Sequence, residues 1–149
     1  MVRKILMAAV FSFGTIAVAS SAQANAEAIE KRQQAMKSLS AATKEIKGAV
    51  ATKDYASIET KARDVNGTAD KIVSLFPKGS AQGKTKATAA IWEKSDEFAK
   101  AAKNLSKASA ELAAAAKSKD EAAVAVKFKE LGSTCGACHK PFRAEKYAD

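Results

Sequence analysis

This 149-residue chain predicts an all-α fold, an antiparallel up-down-up-down four-helix bundle, on three observations. Apolar residues recur at alternating steps of three and four through four segments, the spacing that lines one helix face. No stretch alternates with period two, and β-branched residues do not cluster. The breaks near 51–53 and 117–119 are short, which makes the helices on either side of them antiparallel neighbours.

Residues 1–24 read as a leader rather than as part of the bundle. Arg3 and Lys4 give a basic start, Ile5 to Val18 is an apolar run broken only by Ser12, Gly14 and Thr15, and Ala22-Gln23-Ala24 offers the small-x-small pattern of a cleavage site. The run is short for a membrane span of roughly 20 residues. The expectation is therefore cleavage after Ala24, with Ala26 as the alternative small residue, and export to the periplasm of a bacterium. Residues 25–149 then form one domain. Losing Arg3 and Lys4 takes the formal charge from +9 to +7. The lysines are scattered and aromatics are sparse, so the excess suits a solvated basic exterior better than nucleic-acid binding.

The first segment carries Ile29, Met36, Leu39, Ile46 and Val50. Thr43 interrupts that seam mildly, because its hydroxyl can donate back to a carbonyl of the preceding turn. The second carries Tyr55, Ile58, Ala62, Val65, Ala69, Ile72 and Phe76, and Pro77 is expected to stop it. A longer, flexible break follows at 77–88. The third segment carries Ile91, Phe98, Ala102, Leu105, Ala108, Leu112 and Ala115. The fourth carries Val124, Phe128, Leu131, Cys135, Cys138 and Phe142, with Ser118 and Glu121 placed as a capping box at its start. Pro141 removes a hydrogen bond from the Ala137 carbonyl, so this helix should loosen after His139. The many alanines permit close helix approach and leave a thin core that a large apolar cofactor can fill.

All the soft-ligand chemistry of the chain lies in Cys135-Gly136-Ala137-Cys138-His139, which holds its only two cysteines and its only histidine. C-x-x-C-H is the attachment signature of a c-type haem. The two thiols add across haem vinyl groups and the imidazole binds the iron. A structural zinc site needs four ligands, a redox dithiol is expected after a strand, and a disulfide gives no reason for the adjacent histidine. The seam register points both sulfurs into the bundle and sets His139 one turn beyond Cys135. One haem c is therefore expected between helices, near one end. A haem-free helical binding or metal-chaperone module is the reading that remains if none is attached.

This pentapeptide on the last helix, with Arg32-Gln33-Gln34-Ala35-Met36 in the first helix, Ile91-Trp92 and Phe98 in the third and Phe142-Arg143 after the motif, resembles the class II cytochromes c, the cytochrome c'/cytochrome c-556 group. The resemblance spans essentially all of residues 25–149. It implies that Arg32 and Gln33 lie near the haem propionates, that Arg143 flanks the proximal imidazole or pairs with a carboxylate, and that Met36 faces the distal side of the iron. Some five-coordinate members carry a methionine there without ligating it. Met36 is the only methionine of residues 25–149 and stands one turn after the Arg-Gln pair. With Leu75-Phe76-Pro77 and Ile91-Trp92 resembling the c-556 branch, the expectation is a low-spin electron carrier with His139/Met36 ligation, not an enzyme. The alternative is a five-coordinate cytochrome c' that binds nitric oxide or carbon monoxide. Trp92 is expected to pack against haem or helix. Lys140 and Lys146 form either a docking patch or a solvated face. Redox partner proteins are implied but not identified, and the chain is a monomer or a homodimer.

Overall fold

The computed structural model describes residues 16–146, with side chains from residue 21 onward. Four long helices carry the fold: α1 (Ile16–Thr52), α2 (Tyr55–Ala69), α4 (Ser95–Lys117) and α5 (Glu121–Phe142), with a short α3 (Ala90–Glu93) ahead of α4. No strand is present among the described residues. Residues 1–15 of the expected leader lie outside the described part, and α1 runs unbroken through Ala24.

The two short corners are built alike. Lys53 and Lys119 each take a positive φ, 55° and 56°, which ends the preceding helix in a left-handed turn. Asp54 and Asp120 then cap α2 and α5, their carboxylates accepting from the backbone N–H groups of Ser57 and Ala123. The expected capping box is corrected here. Ser118 belongs to the end of α4, where its hydroxyl donates to the Ala114 and Ala115 carbonyls, and Asp120 is the cap because it, not Ser118, follows the left-handed turn at Lys119. Lys53 Nζ pairs with Glu121 at 2.8 Å, so the two corners meet at one end of the bundle.

The seam positions fill a central core of Ile46, Ile58, Val65, Leu112 and Leu131, all 0–1% exposed, with alanines between them. Thr43 donates to the Leu39 carbonyl at 2.8 Å, as its place in the seam predicts. A second core at the opposite end gathers Ile72, Ile91, Phe98, Ala102 and Phe142, its rings edge-to-face. α2 packs on α1 and α4, and α4 on α5, whereas α1 and α5 scarcely touch. The ring of helices is open along that seam.

α2 stops at Ala69, earlier than Pro77. Past Asn66-Gly67 the backbone bonds shorten to i→i−3 at Lys71 and Ile72 and lead into a 3₁₀ turn, Val73–Leu75. Ile91 and Phe98 likewise sit on two helices, because Lys94 (φ −120°, ψ 49°) breaks the run between α3 and α4. The 77–88 connection is not loose. Trp92 Nε1–H donates to the Phe76 and Pro77 carbonyls, Asn25 Nδ2 donates to the Gln82 carbonyl, and Thr88 N–H donates to the Phe142 carbonyl. Gly83 (φ 102°) passes so close to α1 that a Cβ would meet Ile29 Cδ1 at 3.2 Å. Pro141 stays within α5, and the chain beyond it is held by an antiparallel bridge between Arg143 and Ala87 and by the Ala144 N–H bond to the Lys86 carbonyl. The loosening expected after His139 is countered by those bonds.

Candidate functional site

Where α1 and α5 part, a cavity of about 450 Å³ opens at the end away from the short corners. That lies within the roughly 300–1,000 Å³ typical of cofactor and ligand sites. From α1 come Arg32, Gln33 and Met36, and from the end of α5 come Cys138, His139 and Arg143. Phe76, Ile91, Phe98 and Phe142 supply its apolar wall. Residues about a hundred positions apart in sequence thus share one space, because α1 and α5 run side by side without closing on each other.

The donor groups suit the chemistry that C-x-x-C-H implies. Both thiols are free. Cys138 is half-buried at the cavity, and burial pushes its thiol pKa up, with the nearby Cys135 adding to the shift. Cys135 is exposed, and its thiol makes only a long contact with the Leu131 carbonyl at 3.9 Å. The expectation that both sulfurs point inward therefore holds for Cys138 and fails for Cys135. At 100° per residue Cys135 lies about 40° to one side of Leu131 and Cys138 about 20° to the other. Partial burial of the His139 ring lowers its pKa, and the Arg143 guanidinium lowers it further. Both effects favour the neutral imidazole, the form that binds a metal.

Arg32 is 4% exposed, and burial presses its pKa down without discharging it. Its guanidinium donates to the Ser80 hydroxyl at 3.3 Å and the Ser80 carbonyl at 2.8 Å, and lies 4.7 Å over the Phe76 ring. The Arg32 Nε–H is buried without a partner, and Arg32 has no carboxylate among the described residues. A buried cation with a spare donor beside a cavity calls for an anion there. Together with two free thiols and a neutral imidazole, it fits a haem carrying propionates.

Gln33 lines the cavity while its amide donates to the Lys84 carbonyl at 3.3 Å. Met36 is half-buried on the α1 side. Trp92 does not line the cavity; it packs at the end core and pins the start of the 77–88 connection. Thr85, Lys86 and Ala87 form part of the wall, which the sequence reading missed because it treated their segment as a flexible break. The Thr85 hydroxyl, accepting from Ala87 N–H at 3.1 Å, was the local signal of a turn.

Comparison with known proteins agrees with the fold. The profile of the family described as cytochrome c' matches residues 27–143. A cytochrome c' of Rhodospirillum rubrum is 35% identical over 149 aligned residues, covering 97% of this chain and the whole of that protein. A cytochrome c-556 of Agrobacterium fabrum is 39% identical over 94 residues, 62% of each chain. Among solved structures, cytochrome c' from Shewanella frigidimarina superposes with a TM-score of 0.75 at 29% identity, over 81% of this chain and 97% of that one. The Thermochromatium tepidum cytochrome c' gives 0.75 at 27% identity over the same shares.

Proposed function

Because the chain belongs to the cytochrome c' family and so carries one covalently attached haem c, we propose that it is a five-coordinate cytochrome c' of the periplasm that binds a neutral diatomic gas, nitric oxide or carbon monoxide. When bound, the haem supplies a one-electron ferric/ferrous couple and an axial position for a small ligand. Cys135 and Cys138 would hold it by thioethers, and the imidazole of His139 would ligate its iron. Arg32, with its spare Nε–H, and Gln33 would hold the propionates. Arg143 flanks His139.

The observation that carries the reading is the character of the wall facing His139. Ile29, Phe76, Ile91 and Phe98 are apolar, and the one buried cation there, Arg32, is turned to Ser80. Apart from the Arg32 Nε–H, which the propionates would take, these side chains offer no donor to retain a polar or anionic ligand, and they suit an uncharged diatomic one. The R. rubrum relative, aligned over nearly the whole chain, supports the same side of the family. The low-spin electron carrier with His139/Met36 ligation expected from the sequence is the second reading, because Met36 lines the same cavity as His139.

The ferric absorption spectrum at neutral pH separates them. We expect a high-spin spectrum, carbon monoxide binding to the reduced protein, and a Met36→Ala variant that stays high-spin while binding carbon monoxide about tenfold more tightly as distal bulk is removed. A low-spin spectrum with a near-infrared methionine–iron charge-transfer band, abolished by Met36→Ala, replaces this reading with the electron carrier. No covalent haem after export with the maturation machinery sinks both.

A further inference from the structure

Trp92 is the only tryptophan of the chain and does not line the cavity, yet its single N–H reaches both groups that hold Arg32. The indole Nε1–H is shared between the Phe76 carbonyl at 3.1 Å and the Pro77 carbonyl at 3.0 Å. Phe76 supplies the ring over which the Arg32 guanidinium lies, at 4.7 Å. That ring is wedged between those of Trp92 at 6.3 Å and Phe98 at 4.9 Å. Pro77 opens a four-residue turn in which Gly79 takes a positive φ of 84°. The N–H and the hydroxyl of Ser80 both donate back to the Pro77 carbonyl, at 3.2 and 2.7 Å. Ser80 in turn accepts from Nη1 and Nη2 of Arg32, and Nε is left buried without a partner. The face and the edge of the guanidinium therefore both hang from one donor on α3.

We propose that Trp92 is a positioning residue for the haem couple: through Phe76, Pro77 and Ser80 it fixes Arg32 beside the propionates and so raises the reduction potential of the iron. This rests on the haem-protein reading, with Arg32 at the propionates, and not on the spin state. Ferric iron gains one electron on reduction, and no bond or proton at Arg32 changes. A cation held near it in a poorly solvated site favours the ferrous form, which carries one positive charge fewer. A guanidinium released toward water is screened and favours it less. The indole adds no charge of its own, because it is a donor only. Its influence on the couple therefore passes wholly through the cation it places.

The test poises the haem-loaded protein at the wild-type midpoint with soluble mediators and reads the ferrous fraction from its absorption spectrum. Trp92→Phe keeps a ring and loses the donor, and its ferrous-to-ferric ratio should fall about threefold. Because Trp92 is the sole tryptophan, growth of a tryptophan auxotroph on benzothienylalanine exchanges N–H for sulfur at that position alone. That protein should show the same fall, even where Trp92→Phe does not fold, whereas fluorotryptophan, which keeps the donor, should retain the wild-type ratio. In an Arg32→Met background the changes at Trp92 should move the ratio less than about 1.3-fold. Ile58→Val, in the central core, should lower stability and leave the ratio as it is. No fall without the donor, a fall that persists without Arg32, or an equal fall in Ile58→Val overturns the proposal. Ultraviolet resonance Raman of the one indole reads its N–H bond with or without haem, and a free N–H also overturns it. A haem stain of each variant tells failure of the cofactor reading from failure of this network.

Discussion

Arg32 holds a charge that the rest of the described protein does not balance. It is buried, its two bonds to Ser80 leave its Nε orphaned, and an anion in the cavity would complete it. Arg32→Met should therefore act with different weight in two backgrounds. In the haem-loaded protein it removes a charge-assisted bond and should lower stability by roughly 1–3 kcal/mol. In a Cys135→Ser/Cys138→Ser background without haem it relieves a buried unpaired charge, and the cost should fall to less than half that or reverse. Thermal melts of the four proteins measure the difference. At this scale the sequence was legible where chemistry is local. The pentapeptide names its own cofactor, and Thr43 makes the back-bond its seam position requires. It was not legible where two residues compete for one role, as at Ser118 and Asp120, or where a small angular drift decides exposure, as at Cys135.

Among the elements, the paired corners are the clearest case of sequence acting through backbone geometry. Lys53-Asp54 and Lys119-Asp120 repeat one solution, a left-handed residue followed by an N-cap. Lysine in that conformation carries strain of about 1–3 kcal/mol that glycine avoids, partly offset by the greater entropy glycine loses on folding. Lys119→Gly should raise the melting temperature by about 2–4 °C without altering the haem spectrum, since the corner lies at the far end of the bundle. A fall would mean that the Lys119 side chain contributes more than its backbone costs. The four long segments were readable because each repeats its seam several times. The 3₁₀ turn after α2 and the break at Lys94 were not, because Ile72, Phe76 and Ile91 keep helical spacing across backbone that is not a continuous helix.

At the scale of the molecule, three helix contacts are broad and the fourth is nearly absent. Single-sequence periodicity says which face of each helix is apolar but not how completely the faces meet, so the open seam between α1 and α5 could not be read in advance. The expectation of a thin, alanine-rich core that needs a filler anticipated its cause. Without haem, the part of α1 that carries Arg32 and Met36 has little to rest on across the gap. Amide exchange in the Cys135→Ser/Cys138→Ser variant should show that half of α1 losing protection before its Ile46 half and before α4. Uniform protection along α1 would show that packing on α2 alone suffices.

The same seam is also the way in. α1 is attached broadly to α2 and barely to α5, and beside the cavity Asn25, Arg32 and Gln33 tie it to the 77–88 connection, so the gap lies between two anchored walls. A haem attached at Cys135 and Cys138 would pass that gap once, early in the life of the protein. On the gas-binding reading proposed above, a diatomic ligand would pass it at each binding and release. One contact left unmade among four helices thus gives large and small visitors the same doorway.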